Sequence, residues 1–163
     1  MRKVIVNATP LIILCHIDQL VLLKKLYTKI IIPQAVYQEV CAKRDSACQQ
    51  INDNLGWIQV CDISDPSERK MYQAKLHAGE VEVMILAHEM NADLLIIDDK
   101  AAKKTAKYLG FTVTGTLGVL LKAKKTGLIQ EVCPLLQAIR ESGFYLSRTV
   151  SNMVLLIAGE DMD

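Results

Sequence analysis

Apolar and polar positions along the chain fall into two rhythms. Four short runs of branched residues, at 4–6 (VIV), 29–32 (KIII), 94–97 (LLII) and 111–113 (FTV), have the length and composition of buried strands. Between them apolar residues recur at three- and four-residue intervals, the spacing of helices that bury one face. Strand and helix in alternation predict an α/β fold, with a mostly parallel central sheet of four to five strands covered by helices.

Punctuating residues set the expected boundaries. Pro33, directly after KIII, suits the first turn of a helix, where its missing N–H goes unused. That helix continues through Val36, Tyr37 and Val40. Gly79 precedes a second, EVEVMILAHEM, and Gly110 ends a third that starts near Lys100. Gly115, Gly118 and Gly127 divide TGTLGVLLKAKKTGLI into loop, helix and turn, and SDPSERK reads as a surface loop with a helix start at Ser67. Ser147 is placed to cap a last helix through Ile157. There is no repeat, low-complexity tract or linker, so residues 1–163 read as one domain, with a core at about 3–129 and C-terminal helices at about 130–158.

Composition narrows the class. With 163 residues and 51% of them apolar, the chain can bury one substantial core. A net charge of +1 exerts no global pull on a polyanion, so any such ligand must be held by a local patch. The longest apolar stretch, 11–23, is broken by His16, Asp18 and Gln19 and is unfit to span a bilayer. With no signal region in sight, the expectation is a soluble, cytoplasmic protein away from membranes. Cys15, Cys41, Cys48, Cys61 and Cys133 include no CxxC pair and no zinc spacing. Most are expected to be small buried hydrophobes in a reducing compartment.

Chemistry is sought at the carboxyl ends of parallel strands. Asn7 follows the first strand and Asp98-Asp99 the third run, while Glu39 and Glu80 stand in early helical turns. Converging oxygen donors of this kind suit Mg²⁺ or Mn²⁺. Each has a plainer role: Asn7 closing a turn with its own side chain, Asp98 or Asp99 capping a helix, Glu80 complementing a helix dipole, Glu39 bordering an apolar face beside Val36 and Val40. Two adjacent aspartates allow one to cap while the other points into the cleft. Glu80 shares a helical face with Val83, Met84 and Ala87, which is apolar, whereas Glu82 and Glu89 fall on the polar side.

The stretches VIVNATPLIILCHID, IIIPQAVYQEV and AGEVEVMILAHEMNADLLIIDDKAAKKTAKYLGFTVTGTLGVLLKAKKTGLI, in that order, resemble a PIN domain. More narrowly they resemble the VapC-like prokaryotic branch, in which a GE pair and a DD tip precede a GTLG loop. The resemblance covers about residues 3–129 and implies a three-layer, metal-dependent ribonuclease fold. It further implies Mg²⁺ or Mn²⁺ as cofactor and RNA as substrate, and commonly a homodimer that serves as toxin beside an antitoxin protein. Asn7 stands where the family usually places its first aspartate. Glu39, Glu80 and one of Asp98 and Asp99 match its further acids, and Thr9 matches a small hydroxyl residue after the first. The departure is Asn7, an amide for an acid, which touches catalysis and leaves the fold alone.

A carboxylate cluster of this kind needs a cation to relieve its repulsion and requires no side-chain nucleophile. That agrees with the lack of a Ser-His-Asp or Cys-His pairing around His16, His77 and His88. His16 and His88 fall on helices as boundary residues, and His77, two residues before Gly79, is assigned no role. Lys100, Lys103, Lys104 and Lys107 form one helical stripe that begins at the aspartate tip. An ordinary stripe of that kind is solvated, but here phosphate contact is the working hypothesis. The alternatives are a non-catalytic PIN-like protein that binds RNA or protein, and a nucleotide switch. The switch lacks a glycine-rich loop after the first strand, where NATP stands.

Overall fold

In the computed structural model, which describes residues 2–72 and 76–161, strand β1 (Val4–Val6) lies at the centre of a five-stranded sheet. β2 (Ile30–Pro33) and β3 (Ile58–Cys61) extend it on one side, β4 (Leu94–Ile96) and β5 (Val113–Thr114) on the other. The order is β3-β2-β1-β4-β5 and every pairing is parallel, with Val6 opposite Ile96 and Ile5 opposite Ile31. Successive strand residues face opposite sides. Val4, Ile5 and Val6 are all fully buried, so both faces of the sheet are covered. This is the three-layer α/β architecture of a PIN-like fold.

Nine α-helices among the described residues make the covering layers: α1 (Ala8–His16), α2 (Val21–Tyr27), α3 (Gln34–Cys41), α4 (Ser46–Asp53), α5 (Ala78–Met90), α6 (Lys100–Tyr108), α7 (Thr116–Lys125), α8 (Cys133–Glu141) and α9 (Arg148–Ala158). The chain leaves β1 toward β2 and β3, then returns past β1 to β4 and β5. A reversal of this kind opens a crevice at the carboxyl ends of β1 and β4. α1, α3, α6 and α7 all begin where a strand ends, so their N-terminal N–H groups lie along that carboxyl edge.

Several boundaries differ from the sequence reading for local reasons. Pro33 is the last residue of β2, opposite Cys61, and the extended N-cap of α3 rather than part of its first turn. α5 starts at Ala78, which places Gly79 inside the helix. The run 111–113 yields a strand only at Val113 and Thr114. Gly110 and Phe111 are spent ending α6, donating to the Lys107 and Ala106 carbonyls, with Gly110 at φ +90°. The turn after SDPS is a 3₁₀ helix, Pro66–Met71, capped by Asp65, whose carboxylate accepts from the Ser67 N–H and hydroxyl. Ser147 caps α9 as expected, accepting from Val150 at 3.1 Å.

The cysteines need correction. Cys15 is buried, and burial, with Asp45 and Asp18 behind it, pushes its thiol up to about 12, as suits an inert core residue. Cys41 and Cys48, however, are joined in a disulfide that ties the end of α3 to the start of α4. Cys61 and Cys133 are free and only half-buried. Among the described residues no helix is long and apolar enough to cross a membrane.

Candidate active site

Asn7 extends β1 by one step, its backbone N–H donating to the Ile96 carbonyl at 2.9 Å, and then serves as the N-cap of α1. An N-cap asparagine normally accepts an N–H of the first turn with its own side chain. Asn7 does not: its side chain makes no capping bond, although the residue is 5% exposed. The turn-closing role is therefore absent. The amide instead faces α5, with Oδ1 3.6 Å from where a Cβ on Gly79 would lie.

Gly79 explains how three elements meet. A side-chain carbon there would also come within 3.4 Å of Val36 Cγ2 and 3.9 Å of Glu39 Oε2. The bare glycine lets the first turn of α5 settle between the tip of β1 and α3, so that Asn7 Oδ1 and Glu39 Oε2 flank one spot. Glu39 is itself exposed. Glu80 follows directly, 6% exposed, and its Oε1 accepts the His77 N–H at 3.0 Å, half of a capping box. Burial raises its pKa most. The His77 N–H bond opposes that rise, and the negative charges of Asp99 and Glu39 add to it. Glu80 is thus within electrostatic reach of both Asp99 and Glu39. His77, at the head of α5, belongs to this neighbourhood, whereas His16 and His88 are exposed at helix ends elsewhere.

The two aspartates divide their work differently from the expectation that only one would cap. Asp99 caps α6, its Oδ2 accepting the Ala102 N–H at 2.9 Å, so Oδ1 is not used in the cap. Asp98 caps α7 with both oxygens, accepting the Thr116 N–H at 2.8 Å and its hydroxyl at 2.6 Å. Gly115 makes room for this: a Cβ there would lie 2.6 Å from Asp98 Oδ1 and 2.9 Å from Lys103 Nζ. Lys103 therefore reaches into the aspartate corner and is half-buried, while Lys100, Lys104 and Lys107 stay exposed along α6. Thr9 is exposed in the first turn of α1, two residues beyond Asn7. A groove of about 620 Å³ runs beside Lys104, between α6 and the 3₁₀ helix, lined by Met71, Tyr72 and Tyr108. It adjoins the lysine stripe and holds none of the acids.

Glu82 corrects the sequence reading outright. It is 5% exposed rather than on a polar side, because α5 is buried all round from Gly79 to Ala87. Its carboxylate accepts the Ala35 N–H at 3.1 Å and pairs with Arg69 at 2.7 Å, locking α5 to α3 and to the 3₁₀ helix. The only hint in the sequence is an arginine in SDPSERK, which offers a cation without saying where it lands.

As a donor set, Asn7 Oδ1, Glu39, the second oxygen of Glu80 and Asp99 Oδ1 are all hard oxygens, the chemistry Mg²⁺ and Mn²⁺ select. Among the described residues, however, no three His, Cys, Asp or Glu side chains form a ready metal cluster.

The chain is thus an α/β domain whose parallel five-stranded sheet carries acidic residues along its carboxyl edge. A family model for the PIN domain matches residues 3–160, and the chain belongs to that family. The match reaches past 129 and so takes in α8 and α9. No curated protein matches the chain closely enough to count as a relative.

Proposed function

We propose that this protein is a metal-dependent endoribonuclease of PIN type, acting in the cytoplasm as the toxin of a VapC-like toxin–antitoxin pair and as a homodimer. One observation carries the nuclease reading. Glu80 is buried at the head of α5 with no ion pair among the described residues, and burial together with Asp99 and Glu39 biases it against its own charge. Such an arrangement is poorly stable alone and gains from a divalent ion. Mg²⁺ or Mn²⁺ would be held by Asn7, Glu39, Glu80 and Asp99. When bound, the ion supplies Lewis acidity toward water and toward the phosphoryl oxygens.

The chain's own groups do the rest. Asn7 Oδ1 orients without adding charge. Asp98 fixes the start of α7 through Thr116, so that Gly115 and Lys103 stay at the corner of the cleft. Lys103, with Lys100, Lys104 and Lys107 trailing along α6, presents ammonium groups to the phosphates on either side of the scissile bond. The N-termini of α1, α6 and α7 add partial positive charge at the same edge, and Thr9 offers a hydroxyl on its rim.

A second reading is kept for a specific reason. Asn7 lacks the acid's charge and Asp98 has both oxygens engaged, which favours a PIN-like protein that binds RNA or a protein partner without cutting. One assay separates the two: labelled structured and single-stranded RNA incubated with Mg²⁺, Mn²⁺ or chelator. Cleavage that needs the metal and is lost in Glu80→Gln supports the nuclease. Intact RNA in every lane, with RNA still bound, supports the second reading.

A further inference from the structure

The carboxyl edge of the sheet holds the acids with the α6 lysines beside them, and the amino edge holds a second group of cations with Asp93 and Glu160 among them. The amino edge gathers Arg2 before β1, Lys24 and Lys25 in the last turn of α2, Lys29 before β2, and Lys122, Lys124 and Lys125 in the last turn of α7. Cations commonly complement the negative end of a helix dipole, and the α2 and α7 lysines satisfy that plainer account. Three further features do not.

First, Arg2 and Lys122 share one aromatic ring. The Arg2 guanidinium carbon lies 5.9 Å and Lys122 Nζ 4.8 Å from the centroid of the buried Tyr27. Burial, then the charge of Arg2, lowers the pKa of Lys122, so the two cations are held together against repulsion. Second, Thr28 adopts φ +71° and ψ −53°, with the Lys29 N–H donating to the Tyr27 carbonyl at 2.8 Å. This is a γ-turn centred on a β-branched residue, a strained conformation that persists only where the surroundings enforce it. It presents exposed Lys29 at the same edge. Third, a groove of about 680 Å³ opens beside these groups, with Lys122, Lys124 and Lys125 set around an apolar floor of Leu121, Ile157 and Ala158. Among the described residues only Lys124 of this set has a carboxylate partner, Glu160 at 2.9 Å. Two cations held together over one ring and lysines without carboxylate partners beside a groove call for a polyanion, and the Thr28 turn fixes where Lys29 joins them.

We infer that the amino edge of the sheet is a second nucleic-acid surface, on which Arg2, Lys24, Lys29, Lys122 and Lys125 hold the phosphate backbone of an RNA engaged at the opposite edge. The inference rests on the proposed function for the identity of the polyanion. α7 runs from the aspartate corner to this patch, and its ten residues span about 15 Å. An RNA that touches both edges must be folded or long, so the patch selects substrates by size and shape.

The test is fluorescence anisotropy in EDTA, where nothing is cleaved, using a fluorescein-labelled RNA hairpin. The variant Lys24→Gln/Lys29→Gln/Lys122→Gln/Lys125→Gln should bind it at least about tenfold more weakly, with a salt slope lower by about three units. Its fold is checked by circular dichroism. The variant Lys24→Gln/Lys29→Gln/Lys125→Gln spares the Lys122 contact with Tyr27 and changes only exposed side chains. It should show the same weakening, with a salt slope lower by about two to three units. The variant Lys103→Ala/Lys107→Ala serves as the cleft counterpart. Unchanged hairpin binding in the amino-edge variant, with weakened binding in the cleft variant, overturns this inference and leaves the nuclease reading standing. A parent protein that binds no RNA at all overturns both. If polyglutamate of matched charge displaces the hairpin as well as unlabelled hairpin does, the partner is an acidic protein segment and the inference is wrong.

Discussion

Glu80 and Glu82 sit two residues apart on the same helix, 6% and 5% exposed, and live in opposite company. Glu82 meets a guanidinium and a backbone N–H, so its charge is answered within the fold. Glu80 meets one backbone N–H, and otherwise the charges of Asp99 and Glu39 outweigh the help from His77. Burying a carboxylate is costly unless it is paired and hydrogen-bonded. The comparison teaches that burial alone does not mark a functional acid. The useful sign is burial with the pairing left incomplete.

Removing the answered acid gives the largest expected effect. Glu82→Ala leaves the Ala35 N–H and Arg69 without their acceptor. Truncating one member of a buried pair costs about 3–5 kcal/mol, and since the Arg69 side chain is 43% exposed the loss here is about 2–3 kcal/mol. Urea denaturation measures it. A loss below about 0.5 kcal/mol would make the Arg69 clamp an ordinary surface pair and remove one side of the comparison.

The contrast between these glutamates was only half legible in the sequence. Glu80 is legible because it falls on the apolar stripe of a helix. The same periodicity puts Glu82 on a polar side, and it fails because α5 is buried all round and has no polar side. Strand β3 was missed for a related reason. Gln59 is exposed between Ile58 and half-buried Val60, so an edge strand covered on one side shows no continuous apolar run. The strands at 4–6 and 94–97 stood out because both faces are buried. The disulfide was illegible, since Cys41 and Cys48 approach only when α3 turns back into α4.

A smaller effect is expected at Asp98. Asp98→Ala strips two hydrogen bonds from Thr116, which is 2% exposed, and should lower stability by about 1–2 kcal/mol. If capping α7 is its whole task, the thermal stabilisation given by Mn²⁺ stays as in the parent. A Mn²⁺ response that disappears with Asp98 would move this residue across the comparison, from structural acid to ligand.

Glu80→Gln should act in the opposite sense. Glutamine keeps an acceptor for the His77 N–H and removes a charge the cleft resists. The folded-state pKa of Glu80 is raised, so the native state favours its protonated form. That contribution is complete below the unfolded value, about 4.3, and is lost as pH rises through the folded value. The variant should therefore be more stable than the parent at pH 7 by a margin that narrows as pH falls through the raised folded value and is closed by about pH 4. Melting curves across that range check the sign. A variant less stable at pH 7, without metal, would mean that Glu80 is as well answered as Glu82.

Asn7 gives the smallest shift without metal and the sharpest contrast with it. Its amide lies at the spot that Glu39 Oε2 also flanks, makes no capping bond, and so carries no structural duty that aspartate would spoil. Asn7→Asp adds a negative charge beside Glu39 and Glu80 at nearly constant shape. In EDTA the added repulsion should lower the melting midpoint slightly, and more at pH 8 than at pH 5, because the new carboxylate is fully ionised only at the higher pH. With Mn²⁺ the sign should reverse. An extra anionic oxygen donor strengthens the hold on a hard cation, and whatever binds only the native state stabilises it. The variant should then melt above the parent, and cleavage of RNA should rise or appear. The same melting midpoint for Asn7→Asp and parent, with and without Mn²⁺, would place Asn7 outside the cleft's electrostatics. The incomplete pairing at Glu80 would then have to be explained by something other than a cation.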